Sequence, residues 1–144
     1  MNLEKDHHFV RYCKPSQCEN DEILTPAFHL RKKGSPPERT KDEETLSVDW
    51  YEFFSKDHYS SIIKALNKRR RGTKPKGYLA KLNVGKTIED LRKIPDYSSF
   101  NFYIENAGNS SHSEFYSLYG IDEDIRVCDT FIKNIIDKRR VVDI

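Results

Sequence analysis

From Asp57 to Gly77 the chain reads as one amphipathic helix that runs into a block of cations and then breaks. Tyr59, Ile62, Ile63 and Leu66 fall at i, i+3, i+4 and i+7, a single apolar stripe, and Asp57 stands where a cap belongs. A short helix of this kind holds its shape only when the stripe lies on another surface. The stripe stops where Lys68, Arg69, Arg70 and Arg71 begin, and cations over a last helical turn suit the negative end of the macrodipole. Gly72, Pro75 and Gly77 end the helix and return the chain. The pattern therefore predicts a docked helix that presents charge at its end, followed by a basic loop over 68–77.

Tyr78 to Val84 supplies a surface to pack on, a strand with Tyr78, Ala80, Leu82 and Val84 on one face. Further strands are expected at His8–Tyr12, which ends in the turn Lys14-Pro15-Ser16, at Ala27–Arg31, and at Phe100–Glu105, where alternation is clear. Ser47 is placed to cap a helix through Trp50, Phe53 and Phe54, and Thr87 to start a short helix reaching Ile94. A C-terminal helix from about Asp122 carries Ile125, Cys128, Ile132 and Ile135, with Phe131 and Ile136 widening the apolar face. Residues 32–45 are polar, with Gly34, Pro36 and Pro37, and read as a flexible loop. Strands interleaved with helices at no regular βαβ period predict an α+β fold. The expectation is a single compact domain over 1–144, a small mixed or antiparallel sheet packed by three to four helices.

Hydrophobic content of 36% is modest, and 8 Phe, 8 Tyr and one Trp make up much of the core. No apolar run approaches the roughly 18–20 residues that cross a bilayer, and the N-terminal residues lack the apolar centre of a secretory signal. A cytoplasmic, non-membrane protein is expected, with Cys13, Cys18 and Cys128 as free thiols. No cofactor is called for.

The charge pattern points to partners. Residues 64–93 hold 11 Lys/Arg against Glu89 and Asp90, within a chain of net charge only +2, so the remainder is net acidic. Cations gathered this way suit a polyanion, and nucleic acid is the commonest. With no helix-turn-helix, zinc-finger or RNP signature, RNA or a single strand is favoured over a specific duplex. The residues expected to bind it are Lys68, Arg69, Arg70, Arg71, Lys74 and Lys76, with Tyr78 as a stacking face. A second reading is an enzyme acting on a phosphodiester or nucleotide. Its candidates are His112, in a polar loop, as proton-transfer group and Arg11 or Arg31 as the cation that holds the transition state's charge. A third is a subunit that docks on a larger protein through its aromatic surface.

Two weaker patterns carry less. Ala80 to Thr87 ends in Gly85-Lys86-Thr87 and loosely fits a phosphate loop, but strand residues stand where a glycine-bearing loop belongs. A strand, a glycine turn and a helix cap explain it better. His8, Cys13, Cys18 and His29 are types that zinc accepts, at spacings looser than structural sites use, so no metal is expected.

The blocks His8-Phe9-Val10-Arg11-Tyr12, Ala27-Phe28-His29-Leu30-Arg31, Leu46-Ser47-Val48-Asp49-Trp50, Leu82-Asn83-Val84-Gly85 and Ser111-His112-Ser113-Glu114 together resemble a group of small bacterial proteins with no assigned activity. The resemblance spans most of the length and implies a bacterial, soluble, single-domain protein. Within these blocks Arg11, Arg31, Ser47, Trp50, Asn83 and His112 are polar or bulky residues set among apolar ones. Such residues are either buried and hydrogen-bonded or converge on a site.

Overall fold

The computed structural model describes residues 1–35, 38–69 and 72–144. In chain order the strands and helices are β1 (His8–Cys13), β2 (Cys18–Glu19), β3 (Glu22–Ile23), β4 (Leu46–Trp50), α1 (His58–Arg69), β5 (Tyr78–Asn83), α2 (Val84–Arg92), β6 (Tyr103–Asn106), β7 (His112–Tyr116), α3 (Ile125–Lys133) and β8 (Ile135–Arg140). Six strands form one antiparallel sheet in the order β6-β7-β4-β1-β5-β8, and β2 pairs with β3 as a small separate hairpin. The protein is one α+β domain, with three α-helices among the described residues. Among the described residues no helix is long and apolar enough to cross a membrane.

Strand alternation divides the interior in two. Phe9, Leu46, Val48, Ala80, Leu82, Ile104 and Phe115 face the larger core, which α2, α3 and the 3-10 turn Thr25–Phe28 close with Leu91, Phe131 and Phe28. Val10 and Leu79 point to the other face, where Tyr59, Ile62 and Leu66 of α1 cover them. The apolar stripe thus docks as its spacing requires, with Ile63 at its margin.

Several elements differ from what the sequence suggests. Ala27–Arg31 is not a strand: Pro26, with φ fixed and no N–H to offer, opens the 3-10 turn Thr25–Phe28. Ser47 caps no helix. Leu46 and Val48 alternate inward around it, so period two wins and β4 forms, followed by the 3-10 turn Tyr51–Phe53. His112 leaves its expected loop for β7, where Ser113 and Phe115 are the inward residues. The last helix stops at Lys133 because Asn134 caps it, and Ile135 belongs to the edge strand β8.

A buried carboxylate joins α2 to α3. Asp90 accepts from Lys86 Nζ at 2.9 Å and from Asn134 Nδ2 at 3.0 Å, and Lys93 Nζ lies 3.3 Å away. Burial alone would raise its pKa, but the bonds from Lys86, Asn134 and Lys93 outweigh it and lower the group from 3.8 to about 2. Asp124, the N-cap of α3, is likewise held well below the usual carboxylate range by Arg126 and by the Tyr97 hydroxyl at 2.5 Å. A depressed folded-state pKa adds stability above the unfolded value that is lost as pH falls through the folded one. Thermal melts in a pH series are expected to show the midpoint dropping between pH 3.8 and about 2. Asp90→Asn should flatten that slope; an unaltered slope would remove Asp90 from the account.

Candidate functional site

β1 and β4 pair at two positions, Phe9↔Trp50 and Val10↔Asp49. Beyond them β1 continues against β5 and β4 against β7, so a gap opens between the two central strands. Main-chain groups facing such a gap need other partners. Arg11 meets one of them, Nη1 donating to Ser47 O at 2.8 Å, while its Nε donates to Ala27 O of the turn Thr25–Phe28 at 2.9 Å.

The last turn of α1 covers the same gap. Docking of Tyr59, Ile62 and Leu66 sets Arg69 above β4, where Nη2 donates to Asp49 Oδ1 at 2.8 Å and Oδ2 at 3.0 Å. Asp49 is 3% exposed and also accepts from Ser111 Oγ at 2.8 Å. Arg69 Nε and Nη1 are buried with no hydrogen-bond partner among the described residues. His112 stands opposite Asp49 in the β4–β7 register, on the same face. Tyr12 Oη accepts from Lys74 N at 2.9 Å and anchors the basic loop, and burial keeps this phenol neutral by raising its pKa. From the far wall comes Arg31, whose Nη2 donates to Glu43 Oε2 at 3.2 Å, while the buried Glu43 also accepts from Arg31 N at 3.0 Å.

These groups enclose a cavity of about 70 Å³. Arg11, Lys14, Arg31 and Arg69 line it with His29 and His112, and among the described residues Asp49 is the one carboxylate in the lining. Tyr12, Gln17, Ser47 and Leu66 also line it. A small concave space with this balance favours a compact anion, since hydrogen bonds from arginine or lysine to an anionic oxygen are about twice as strong as neutral ones.

Arg11, Arg31 and His112, the candidates for a catalytic role, therefore share one cavity with Arg69, a candidate for binding. Lys68, Lys74 and Lys76 are exposed outside its lining. Arg70 and Arg71 lie outside the described residues. Tyr78, expected to offer a stacking face, is buried, and its hydroxyl donates to Asp21 Oδ1 at 2.5 Å. The rest of the basic window disperses: Lys86 and Lys93 pair with acids on their own helix, Arg92 Nε donates to Phe100 O at 3.1 Å, and Lys81 sits 3.9 Å over the Tyr51 ring. Lys14, Gln17 and Asp49 join the site although the sequence pattern alone does not single them out. Asp49 carries a signal, a carboxylate on the polar side of an alternating segment, which a helical reading of that segment hides.

The Gly85-Lys86-Thr87 motif does not hold a phosphate. The first amides of α2 already have protein acceptors: Val84 N donates to His7 O at 3.0 Å, Gly85 N to Lys5 O at 3.0 Å and Lys86 N to the Asn83 cap at 2.8 Å. A Cβ on Gly85 would meet Lys5 Cβ and Lys5 O at 2.7 Å, so this glycine allows a close chain crossing. Nor do His8, Cys13, Cys18 and His29 gather. His8 Nδ1 lies 2.6 Å from Glu52 Oε2, and burial raises the Cys13 thiol to about 12. The one His/Cys/Asp/Glu group close enough to share an ion among the described residues is Glu4, Asp6 and His7, largely exposed and away from the cavity. No protein-family model, no curated protein and no solved structure matches this chain.

Proposed function

We propose that the chain binds phosphate groups of a nucleic acid, with RNA or a single strand favoured, at the cavity between β1 and β4. The supporting observation is that Arg11, Lys14, Arg31 and Arg69 converge on one small cavity although the whole chain is only +2. Exposed Lys68 and Lys74, on the helix end and the loop tied to Tyr12, extend the positive field past the mouth. Contacts of this kind position a backbone and do not read bases. Fluorescence anisotropy with mixed-sequence single strands tests the reading. Lys14→Ala with Lys74→Ala, neither a core residue, is expected to weaken binding about tenfold and to reduce its salt dependence. Affinity indifferent to salt, or to this pair of substitutions, would overturn it.

A second reading has a specific observation in its favour: His29 and His112 line the same cavity as the arginines. Two imidazoles beside cations suit metal-independent cleavage of RNA. One takes the proton of the attacking 2′-hydroxyl, the other protonates the departing 5′-oxygen, and arginine holds the negative charge on the phosphate. Labelled RNA incubated with the protein in EDTA should be cleaved by the wild type and not by His112→Ala. Cleavage that survives this substitution, or none at all, rejects the catalytic reading.

A further inference from the structure

The two edges of the six-stranded sheet end differently. Along β6 the chain covers its own edge: Asn2 bridges Glu105, Leu3 N donates to Ile104 O and Asn106 N to Met1 O, each at 2.8 Å. Among the described residues no strand covers β8. In an antiparallel ladder every second residue turns its main-chain groups to a given neighbour. Val141 N donates to Gly77 O at 2.9 Å, so Arg139 and Asp137, opposite Leu79 and Lys81, also face β5. The N–H and C=O of Lys138 and the N–H of Arg140 therefore turn outward, and no described residue bonds them.

Side chains along this edge define what suits it. Lys138 and Arg140 are exposed on one face, opposite Ala80 and Tyr78, and no described carboxylate forms an ion pair with either. Asp137 is engaged on the other face, by Arg139 at 3.1 Å and the Tyr59 hydroxyl at 2.6 Å. Ile136, 59% exposed, opens onto a groove that Ile23, Ile132 and Ile135 line. A second copy of β8 fits poorly. Antiparallel pairing through the free groups of Lys138 sets it opposite Lys138, Arg140 or Ile136 of the copy, and the last register brings Asp137 against Asp137. Each register places like charges face to face, which is destabilising. A nucleic-acid backbone brings acceptors for the cations but no row of donors for the C=O of Lys138. An extended polypeptide brings both at strand spacing.

We infer that the open edge of β8 takes an extended acidic segment of a partner protein as an added antiparallel strand. Read from its N-terminus, the segment carries acidic side chains opposite Arg140 and Lys138 and an apolar one opposite Ile136, at alternate positions. This surface is separate from the cavity and does not depend on what the cavity holds.

A labelled peptide, Thr-Glu-Thr-Glu-Thr-Val-Thr, tests it by fluorescence anisotropy. The same peptide with Lys for both Glu should bind about tenfold or more weakly. N-methylation of the second Glu, whose N–H meets Lys138 O, should also cost about tenfold or more, while N-methylation of the Thr after it, which faces away, should cost little. Lys138→Glu with Arg140→Glu should turn the preference toward the Lys peptide. Lys138 also donates to Asp21 O, so this variant is liable to loosen the hairpin; the methylated pair, measured on the wild type, decides without it. Amide exchange at Lys138 and Arg140 should slow at saturation. No binding of the Glu peptide, or equal loss from the two methyl groups, overturns the inference. Displacement of the peptide by a mixed-sequence single strand that leaves both amides unprotected also overturns it and assigns the edge to nucleic acid.

Discussion

Asp49→Ala is expected to destabilise the fold by about 3–5 kcal/mol, a large share of the roughly 5–15 kcal/mol that holds a domain together. The carboxylate is 3% exposed and receives two bonds from Arg69 and one from Ser111. Its removal leaves a guanidinium without its counter-charge and a buried hydroxyl without its acceptor. The Arg69 side chain keeps about 24% of its surface in water, which places the loss toward the lower end of that range. Urea denaturation followed by circular dichroism measures it. Asp49→Ala combined with Arg69→Met should recover much of the loss, because the pair is then removed whole and the two effects are not additive. A loss under about 1 kcal/mol would make the pair no stronger than an exposed ion pair.

Phe131→Ala is expected to cost about 3–5 kcal/mol by a different route. Phe131 is fully buried, stacked on Phe28 at 4.9 Å and 8°, and meets Phe115 edge-on at 5.5 Å. It is where α3, the turn Thr25–Phe28 and β7 come together, so truncation leaves a void shared by three elements that cannot all collapse into it. For a chain of this length each kcal/mol moves the melting midpoint by about 2–4 °C, so the midpoint should fall by roughly 10 °C. Phe131 is not part of the cavity lining, and strand binding measured well below that midpoint should be unchanged. A shift of a degree or two would mean that the aromatic stack is dispensable.

Those two substitutions sample the parts of the fold that sequence reveals unequally. The α1 stripe and the inward face of β5 are legible because each keeps one period over its whole length: Tyr59, Ile62 and Leu66 in one, Tyr78, Ala80 and Leu82 in the other. β4 and β7 are harder. Each is five residues long with two or three inward positions, and Ser47, Ser113 and His112 lend them the composition of loops. Only long-range pairing, Val48 to Ser113 and Asp49 to His112, fixes them as strands, and no local pattern carries that information. The candidate site divides the same way. Arg11, Arg31 and His112 stand out as polar residues in apolar blocks, but their meeting depends on a gap between β1 and β4 that exists only once the sheet is assembled. The basic run shows the opposite limit. Adjacent in sequence, Arg69 turns inward to Asp49 while Lys68 stays in solvent, because successive helical residues point about 100° apart.

The brief pairing of β1 with β4 has a mechanical meaning. The sheet is two leaves, β6-β7-β4 and β1-β5-β8, hydrogen-bonded to each other at a two-residue spine. Arg11 and the Asp49–Arg69 pair act as bolts across the open length of that seam. An anion seated between His112 of β7 and Arg69 of α1, the helix that packs on β1 and β5, would add a third fastening and tighten the molecule along the line where its backbone is least stitched. Amide exchange at Tyr12 and Ser47, whose N–H groups face the seam from β1 and β4, would report ligand before any change in overall shape.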